Sequence, residues 1–440
     1  MQSNIRRRLS GGLAFAIVVG CLLLIAVVAP ARGGDDAGTA VWPQWRGPTR
    51  DGKVTGPAWP GSLAGDRIKP QWRVELGDGY SSPIVGIDRV FSVETRGEEE
   101  IVRALDRKSG KSLWEARWKG SMKVPFFAAR NGSWVRATPA WDGTSLFVPG
   151  MRDVLVCLNG ADGSQRWRVD FMERYKTPLP AFGFVSSPLV LGDDLYVQAG
   201  GSFLKLNKLT GETTWRTLAD EGGMAGSAFS SPMFARLAGK PQLVVQTRAR
   251  LAGVAPETGQ VLWSRDIPSF QGMAIVNPTI EGDNVFTASY GGGSFLFTVA
   301  NDAANGQDAW QAREIWKTAI QGYMSSPMVI DGYVYLQRRD NHISCVELKT
   351  GREMWKSPKG FGDYWSMAAN GPMILALDQR GELFLLRADP QKMDILDHRK
   401  ICDAETWGHI TVCANEIFIR ELNAMTCYRW QETQTDLKKN

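Results

Sequence analysis

Residues 186–215 read SSPLVLGDDLYVQAGGSFLKLNKLTGETTW. Ser186-Ser187-Pro188 opens a short strand with small residues and a proline. Leu195-Tyr196-Val197-Gln198 and Phe203-Leu204-Lys205-Leu206 alternate apolar residues on either side of Gly200-Gly201, the pattern of a β-hairpin. Thr210-Gly211 marks a tight turn, for which glycine supplies the positive φ. Trp215 then sits on a fourth strand. Four short strands with no helical period between them describe one small antiparallel sheet.

The same order recurs along the chain. The opening strand returns as Ser81-Ser82-Pro83, Ala137-Thr138-Pro139, Ser230-Ser231-Pro232, Val276-Asn277-Pro278, Ser325-Ser326-Pro327 and Asn370-Gly371-Pro372, with a degenerate eighth copy near Ile410-Thr411-Val412. The hairpin returns as Val334-Tyr335-Leu336 and Ile343-Ser344-Cys345-Val346. The turn and its tryptophan return as Ser109-Gly110 with Trp114, Asp162-Gly163 with Trp167, Thr258-Gly259 with Trp263 and Thr350-Gly351 with Trp355. Trp316 follows a longer insertion. A tryptophan at one fixed place per repeat can dock between neighbouring sheets and bury a large apolar area each time. Repeats of this kind are propeller blades.

The fold predicted is therefore all-β: an eight-bladed β-propeller of four-stranded antiparallel blades with Trp-docking repeats, seven blades being the runner-up. The eighth copy has strands near 410–414, 416–420 and 425–430 and lacks a fourth. Lys69 to Leu76, carrying Trp72, is a spare strand ahead of the first repeat. Pairing the two would close the ring with an N-terminal strand and remove two exposed edges. The domain layout that follows is 1–31 a signal peptide or membrane anchor, 32–68 a Trp/Gly/Pro-rich extension, 69–430 the propeller, and 431–440 a polar tail.

The Ser-Pro strand, the apolar hairpin and the Thr-Gly-x-x-x-Trp strand resemble PQQ-like propeller repeats over roughly residues 42 to 430. Such repeats occur in quinoprotein alcohol dehydrogenases and in the lipoprotein subunit of the outer-membrane β-barrel assembly machinery. Trp42-Pro43-Gln44-Trp45-Arg46-Gly47-Pro48 with Arg50-Asp51-Gly52 also resembles the leader of exported members of this group. A quinoprotein dehydrogenase would need a calcium held by oxygen ligands, a catalytic carboxylate and aromatic stacking on the quinone. This chain has no vicinal cysteines and no Cys-x-x-Cys-His. No cofactor is predicted, PQQ and calcium being possible but unsupported by any motif.

Composition narrows the function classes. Apolar residues make up 43%, enough for a large core. The net charge of +5 includes Arg6, Arg7 and Arg8. Taking these three from 51 leaves 48 basic residues against 46 acidic ones, so no nucleic-acid footprint is present. The same three arginines precede an apolar run from Leu13 to Ala29 and small residues at Ala29-Pro30-Ala31. That pattern predicts export through a cleaved signal, with an uncleaved anchor as the alternative. Cys157, Cys345 and Cys427 hold matching places in different repeats, as buried small apolar residues do. Cys402 and Cys413 could pair in an oxidising compartment.

Catalytic constellations are sparse. His342, His398 and His409 are not spaced as metal ligands, no metal site is predicted, and no nucleophile-elbow or P-loop pattern occurs. What remains is a candidate ligand face at one mouth of the ring. The loops leading into the inner strands carry Tyr80, Trp134, Phe184, Phe229, Tyr323, Trp365 and Trp407. The turns between second and third strands carry Arg96, Arg152, Arg248, Arg339 and Arg380. Aromatic faces suit sugar rings, quinones or peptide side chains, and arginine suits oxyanions. Aromatics at such positions also plug channels, and turn arginines are often merely solvated. The resemblance and the lack of catalytic motifs together imply a non-catalytic periplasmic or secreted scaffold for envelope proteins. The alternatives are a protein that binds or processes a carbohydrate or other anionic ligand, and a PQQ-dependent oxidoreductase.

Overall fold

The computed structural model describes residues 40–56, 58–219, 226, 228–303 and 309–430. The predicted export segment and the tail at 431–440 lie outside the described residues. Eight antiparallel four-stranded sheets follow one another as blades, as the repeats predict. Blades 1 to 7 span 84–119, 140–170, 189–217, 233–266, 279–318, 328–356 and 365–400. Blade 8 joins the two ends of the chain. Its inner strands are Thr411–Cys413, Glu416–Glu421 and Ala424–Trp430, and its outer strand is Ile68–Glu75, paired antiparallel with the last of these. The spare N-terminal strand thus closes the ring.

The apolar side chains collect between blades. Val93 and Val102 of blade 1 meet Val148 and Val156 of blade 2. Phe147 and Leu155 meet Val197 and Leu204 of blade 3. One cluster spans the closure: Leu377 and Leu385 of blade 7, Phe418 and Met425 of blade 8, and Val90 and Leu105 of blade 1. Each such fully buried side chain contributes roughly 1.5–3 kcal/mol. Every blade therefore depends on both neighbours, and an open stack would strip two faces.

The tryptophans latch each blade to the next. Trp72, Trp114, Trp167, Trp215, Trp316 and Trp355 each donate the indole N–H to a backbone carbonyl of the following blade, at 2.8–3.0 Å. In every blade a bulge interrupts the pairing of third and fourth strands beside this position, or beside its Asp397 equivalent in blade 7. A bulge re-aims the side chain it carries, here outward toward the neighbour. The turn glycine of the next blade is the seat. Gly211 has φ +72°, and a Cβ there would come within 2.8 Å of the Trp167 ring. Gly211→Ala should lower the unfolding free energy by about 1–2 kcal/mol from the left-handed backbone alone, measured by urea denaturation.

Two blades depart from the rule. Trp263 donates to Gln242 Oε1 of its own blade at 2.7 Å, and the next blade joins its third and fourth strands by a longer connection, 302–309. Blade 7 has Asp397 in the tryptophan's place, opposite Leu385, and its carboxylate accepts from the Ser62 hydroxyl and the Leu63 N–H. Cys157, Cys345 and Cys427 each lie directly opposite a latch tryptophan, and all three are buried. Cys402 and Cys413 are both free thiols rather than a pair. Cys413 is buried in the closure core, and Cys402 donates to the Ala404 carbonyl.

The residue ahead of each opening proline has a second task. Ser82 N–H donates to Thr138 Oγ1, Thr138 N–H to Ser187 Oγ, Ser187 N–H to Ser231 Oγ, Ser231 N–H to Asn277 Oδ1 and Asn277 N–H to Ser326 Oγ, all at 2.9–3.2 Å. His409 N–H donates to Ser82 Oγ at 2.8 Å and carries the belt across the closure. Proline holds the preceding residue extended, so the N–H and the side chain of that residue point to opposite neighbours. Blade 7 corrects the sequence reading. Asn370-Gly371-Pro372 lies at the turn that follows the inner strand Trp365–Asn370, not at its start. The belt residue there is Ser366, whose Oγ accepts from Ile410 N–H.

Candidate functional site

The leader runs along the central channel, a placement the sequence did not reveal. Trp42 exchanges two backbone hydrogen bonds with Val85 of blade 1, and Trp141 N–H of blade 2 donates to the Pro43 carbonyl. Arg50 donates to the Ser187 and Pro188 carbonyls of blade 3, and Arg46 to the Pro327 carbonyl of blade 6 at 2.8 Å. Lys53–Val54 lies parallel to Ala369–Asn370 of blade 7. Residues 42–54 thus bridge inner strands around the ring and fill one end of the channel.

At the other end a cavity of about 260 Å³ opens among the loops that lead into the inner strands. Each blade contributes the residue two before its belt position: Tyr80, Arg136, Val185, Phe229, Ile275, Met324, Tyr364 and Trp407. Below them Ser187, Ser231, Asn277 and Ser326 of the belt line the wall, and Trp45 of the leader forms part of the floor. The two-residue spacing follows from the alternation of an extended chain, in which positions i and i+2 share a face.

This register sorts the candidates. Tyr80, Phe229, Tyr323 and Trp407 line the cavity. Trp134 packs edge-on against Tyr80, centroids 5.7 Å apart, without lining it. Phe184 and Trp365 are corrections: each is one residue out of register and turns into an interblade core. Val185 and Tyr364 face the channel in their stead. Arg339 lies over the rings of Tyr290 and Tyr323 at 4.7 and 4.8 Å. Arg248 lies over Phe229 at 4.8 Å. Arg96 and Arg380 pair instead with Glu94 and Asp378 of their own blades, and Arg152 is exposed. Sequence reading missed Trp45, Arg136 and Tyr364, while Phe127 and Phe182 stand on the long apolar loops entering blades 2 and 3. The two-before-belt spacing would have found Arg136 and Tyr364.

The electrostatics of the channel are one-sided. Arg46 and Arg50 are fully buried. Burial lowers their pKa values to about 10 and about 9, and Arg46 depresses that of Arg50 further. His409 stacks on Trp42 and meets Trp45 edge-on. Burial, then Arg46, press its pKa from 6.5 to about 3. Its imidazole is therefore neutral when folded, whereas the unfolded chain takes up a proton below about pH 6.5. Stability from this group is complete above pH 6.5 and falls as the pH drops toward 3, by up to about 1.4 kcal/mol per pH unit. His409→Gln should flatten that slope in urea titrations between pH 7 and pH 4.

Among the described residues no Asp or Glu lines the cavity, and none of them form a cluster of three His, Cys, Asp or Glu able to bind a metal. The described lining does not supply the carboxylate ligands that a calcium-held quinone needs. The loop at the rim is apolar: Phe126 is 90% exposed and Phe127 54%, and a chain of ring contacts runs from Phe126 through Phe127 and Phe182 to Phe229. Phe270, half exposed, packs at a tilt against Tyr290 on the Arg339 side of the same mouth.

The family model described as outer membrane protein assembly factor BamB matches residues 98–357. A protein of that name from Yersinia pestis is 23% identical over 262 residues, 57% of this chain and 63% of its own length. The chain therefore spans a little under two thirds of that relative. A Shewanella oneidensis protein of the same name is 24% identical over 320 residues, covering 66% of this chain and 72% of the relative. The crystal structure of BamB from Moraxella catarrhalis superposes with a TM-score of 0.60 at 16% identity, covering 83% of this chain and 99% of that one. A quinohemoprotein alcohol dehydrogenase from Pseudomonas putida superposes at 0.59 with 12% identity, covering 90% and 81%. Likenesses at this identity speak for the fold alone.

Proposed function

The chain belongs to the outer membrane protein assembly factor BamB family, and on that footing we propose that it is an exported, non-catalytic propeller serving as a protein-interaction scaffold in the cell envelope. The observation that carries this reading is the aromatic rim. Two neighbouring phenylalanines in water are an uncovered apolar surface, and the ring beneath them is held by interblade cores, latches and a hydrogen-bonded belt. A rigid base with an aromatic anchor is what a protein partner needs for tight docking.

Export would follow from the arginine-led apolar segment ahead of residue 32, whether cleaved or retained as an anchor. The partner would be an envelope protein engaged in outer-membrane assembly, as the names of the relatives suggest. The test is the double variant Phe126→Asp/Phe127→Asp. Assembly-machinery proteins should co-purify with the wild-type chain from crosslinked envelopes and be lost from the variant, with the melting temperature unchanged. Equal recovery with both chains would remove the rim from the proposal.

A further inference from the structure

We propose that Arg339 is the seat for an acidic side chain of the docked partner: a segment of that protein crosses the mouth, setting an apolar residue on Phe126 and Phe127 and a carboxylate on Arg339. This rests on the scaffold reading and names what the partner must carry. In a ring of eight, blades 2 and 6 face each other. The loop entering blade 2 brings the exposed Phe126 and Phe127 to one side of the mouth. Blade 6 brings Arg339, on the turn between its second and third strands, to the other. Phe127 and Tyr323 both line the cavity between them, so one segment lying over the mouth meets both sides.

The surroundings of Arg339 position it and leave its donors unused. Its guanidinium lies 4.7 Å over the Tyr290 ring and 4.8 Å over the Tyr323 ring, and these rings meet edge to face with centroids 5.6 Å apart. Aromatic faces hold the planar group without consuming its N–H groups. The residue is exposed, and no hydrogen bond or ion pair engages its guanidinium among the described residues. Asp340, next in the chain, is held by Lys356 at 2.8 Å and Arg338 at 3.3 Å. Glu405, the carboxylate beside Trp407, accepts from that indole and from Gln379. Arg339 is thus fixed before the partner arrives, so a forked pair with a carboxylate costs little side-chain freedom. Phe270 packs at a tilt against Tyr290 and extends the apolar surface beside the charge, where a docked chain would exclude water from the pair. Arginine and tyrosine are enriched among the residues that dominate binding energy. A lipid surface fits less well. An anionic bilayer is held by clusters of about four to eight cations, and the turn arginines Arg96 and Arg380 are already paired with Glu94 and Asp378.

The test selects random short peptides, displayed on phage, against the immobilised full chain, then measures synthetic peptides of the selected sequences by fluorescence anisotropy. The selected sequences should combine Asp or Glu with an aromatic or aliphatic residue. Arg339→Gln, an exposed change that keeps the backbone bond from the Arg339 N–H to the Gln321 carbonyl, should weaken these peptides about tenfold, with the melting temperature unchanged. The same peptides with Asn or Gln in place of the acid should bind the wild-type chain about tenfold more weakly and be indifferent to Arg339→Gln, the signature of a direct pair. Phe126→Asp/Phe127→Asp should also release them. Peptides released by the phenylalanine variant but not by Arg339→Gln would overturn the acidic pairing and leave the scaffold reading standing. Selection of no peptide by the folded chain would overturn it too, as would phosphatidylglycerol vesicles that bind the wild-type chain and not Arg339→Gln. The scaffold reading would then be judged by co-purification alone.

Discussion

Trp72→Ala is expected to lower the unfolding free energy by about 3–5 kcal/mol, more than the same truncation at Trp114, Trp215, Trp316 or Trp355. All of these rings donate to the next blade and pack on its turn, so local contacts alone predict similar losses. The difference is covalent. At every junction the chain passes from the outer strand of one blade to the inner strand of the next, but only in blade 8 is the outer strand not joined by a turn to the strand beside it. The strand Ile68–Glu75 is held to blade 8 only by its pairing with Ala424–Trp430 and by its packing. Trp72 is 9% exposed, lies on Phe418, and donates to the Arg107 carbonyl of blade 1 at 2.9 Å. Through its contact with Phe418 it also helps to fasten the seam inside blade 8, between 68–75 and 424–430, that no peptide bond crosses. Urea denaturation gives the loss, and hydrogen exchange locates it: amides of 68–75 and 424–430 should lose protection first. Equal losses at Trp72 and Trp316, with uniform exchange, would mean that the seam is no weaker than the other junctions.

The seam was legible in the sequence because it needed only a count. A last repeat short of one strand and a spare strand with a tryptophan fit each other without any knowledge of side-chain contacts. The latches were legible for the same reason, since Thr-Gly followed by tryptophan recurs at a constant interval. The mouth was legible only in part. Aromatic type was used to choose Trp134, Phe184 and Trp365, but period-two alternation decides which residue faces the channel, and one step turns a side chain into the core. Trp365 shows the consequence: it sits at 1% exposure in an interblade core while Tyr364 lines the cavity. Asn370-Gly371-Pro372 resembles the opening motif in composition and misled the register of that blade. The leader's position was not legible at all. Arg46 meets a carbonyl 281 residues away and Arg50 one 138 residues away, and nothing local announces contacts at that range.

The channel filling changes what the ring can do. A propeller with an open bore lets a ligand or a peptide pass through. Here the leader bridges inner strands of blades 1, 2, 3, 6 and 7, so the bore is stiffened from inside and one mouth is left as a pocket. The arginines on the leader are costly to bury, and backbone carbonyls offset only part of that cost. They leave positive charge under an aromatic bowl.

Glu416→Ala is the second change expected to be severe, at about 3–5 kcal/mol. Arg107 reaches from blade 1 into blade 8, its Nε 2.8 Å from Glu416 Oε2, with Nη1 on the Gly86 and Ala40 carbonyls at 2.9 and 2.8 Å. The two side chains are 4% and 7% exposed, and Arg429 meets the other carboxylate oxygen at 2.8 Å. Removing the carboxylate leaves a buried guanidinium without its counter-charge, and burial shields that penalty from salt. Replacing both partners by apolar residues, Arg107→Met with Glu416→Leu, should restore most of the loss, since a well-packed apolar pair can match a buried ion pair. The ion pair and Trp72 serve the same seam, and Trp72 bonds the carbonyl of Arg107 itself. Their effects should therefore not add. Once Trp72→Ala has loosened blade 8, water reaches Arg107 and the further loss from Glu416→Ala shrinks. A double variant whose loss equals the sum of the single ones would show that ion pair and latch stabilise separate units, and the seam would have to be read as two independent contacts.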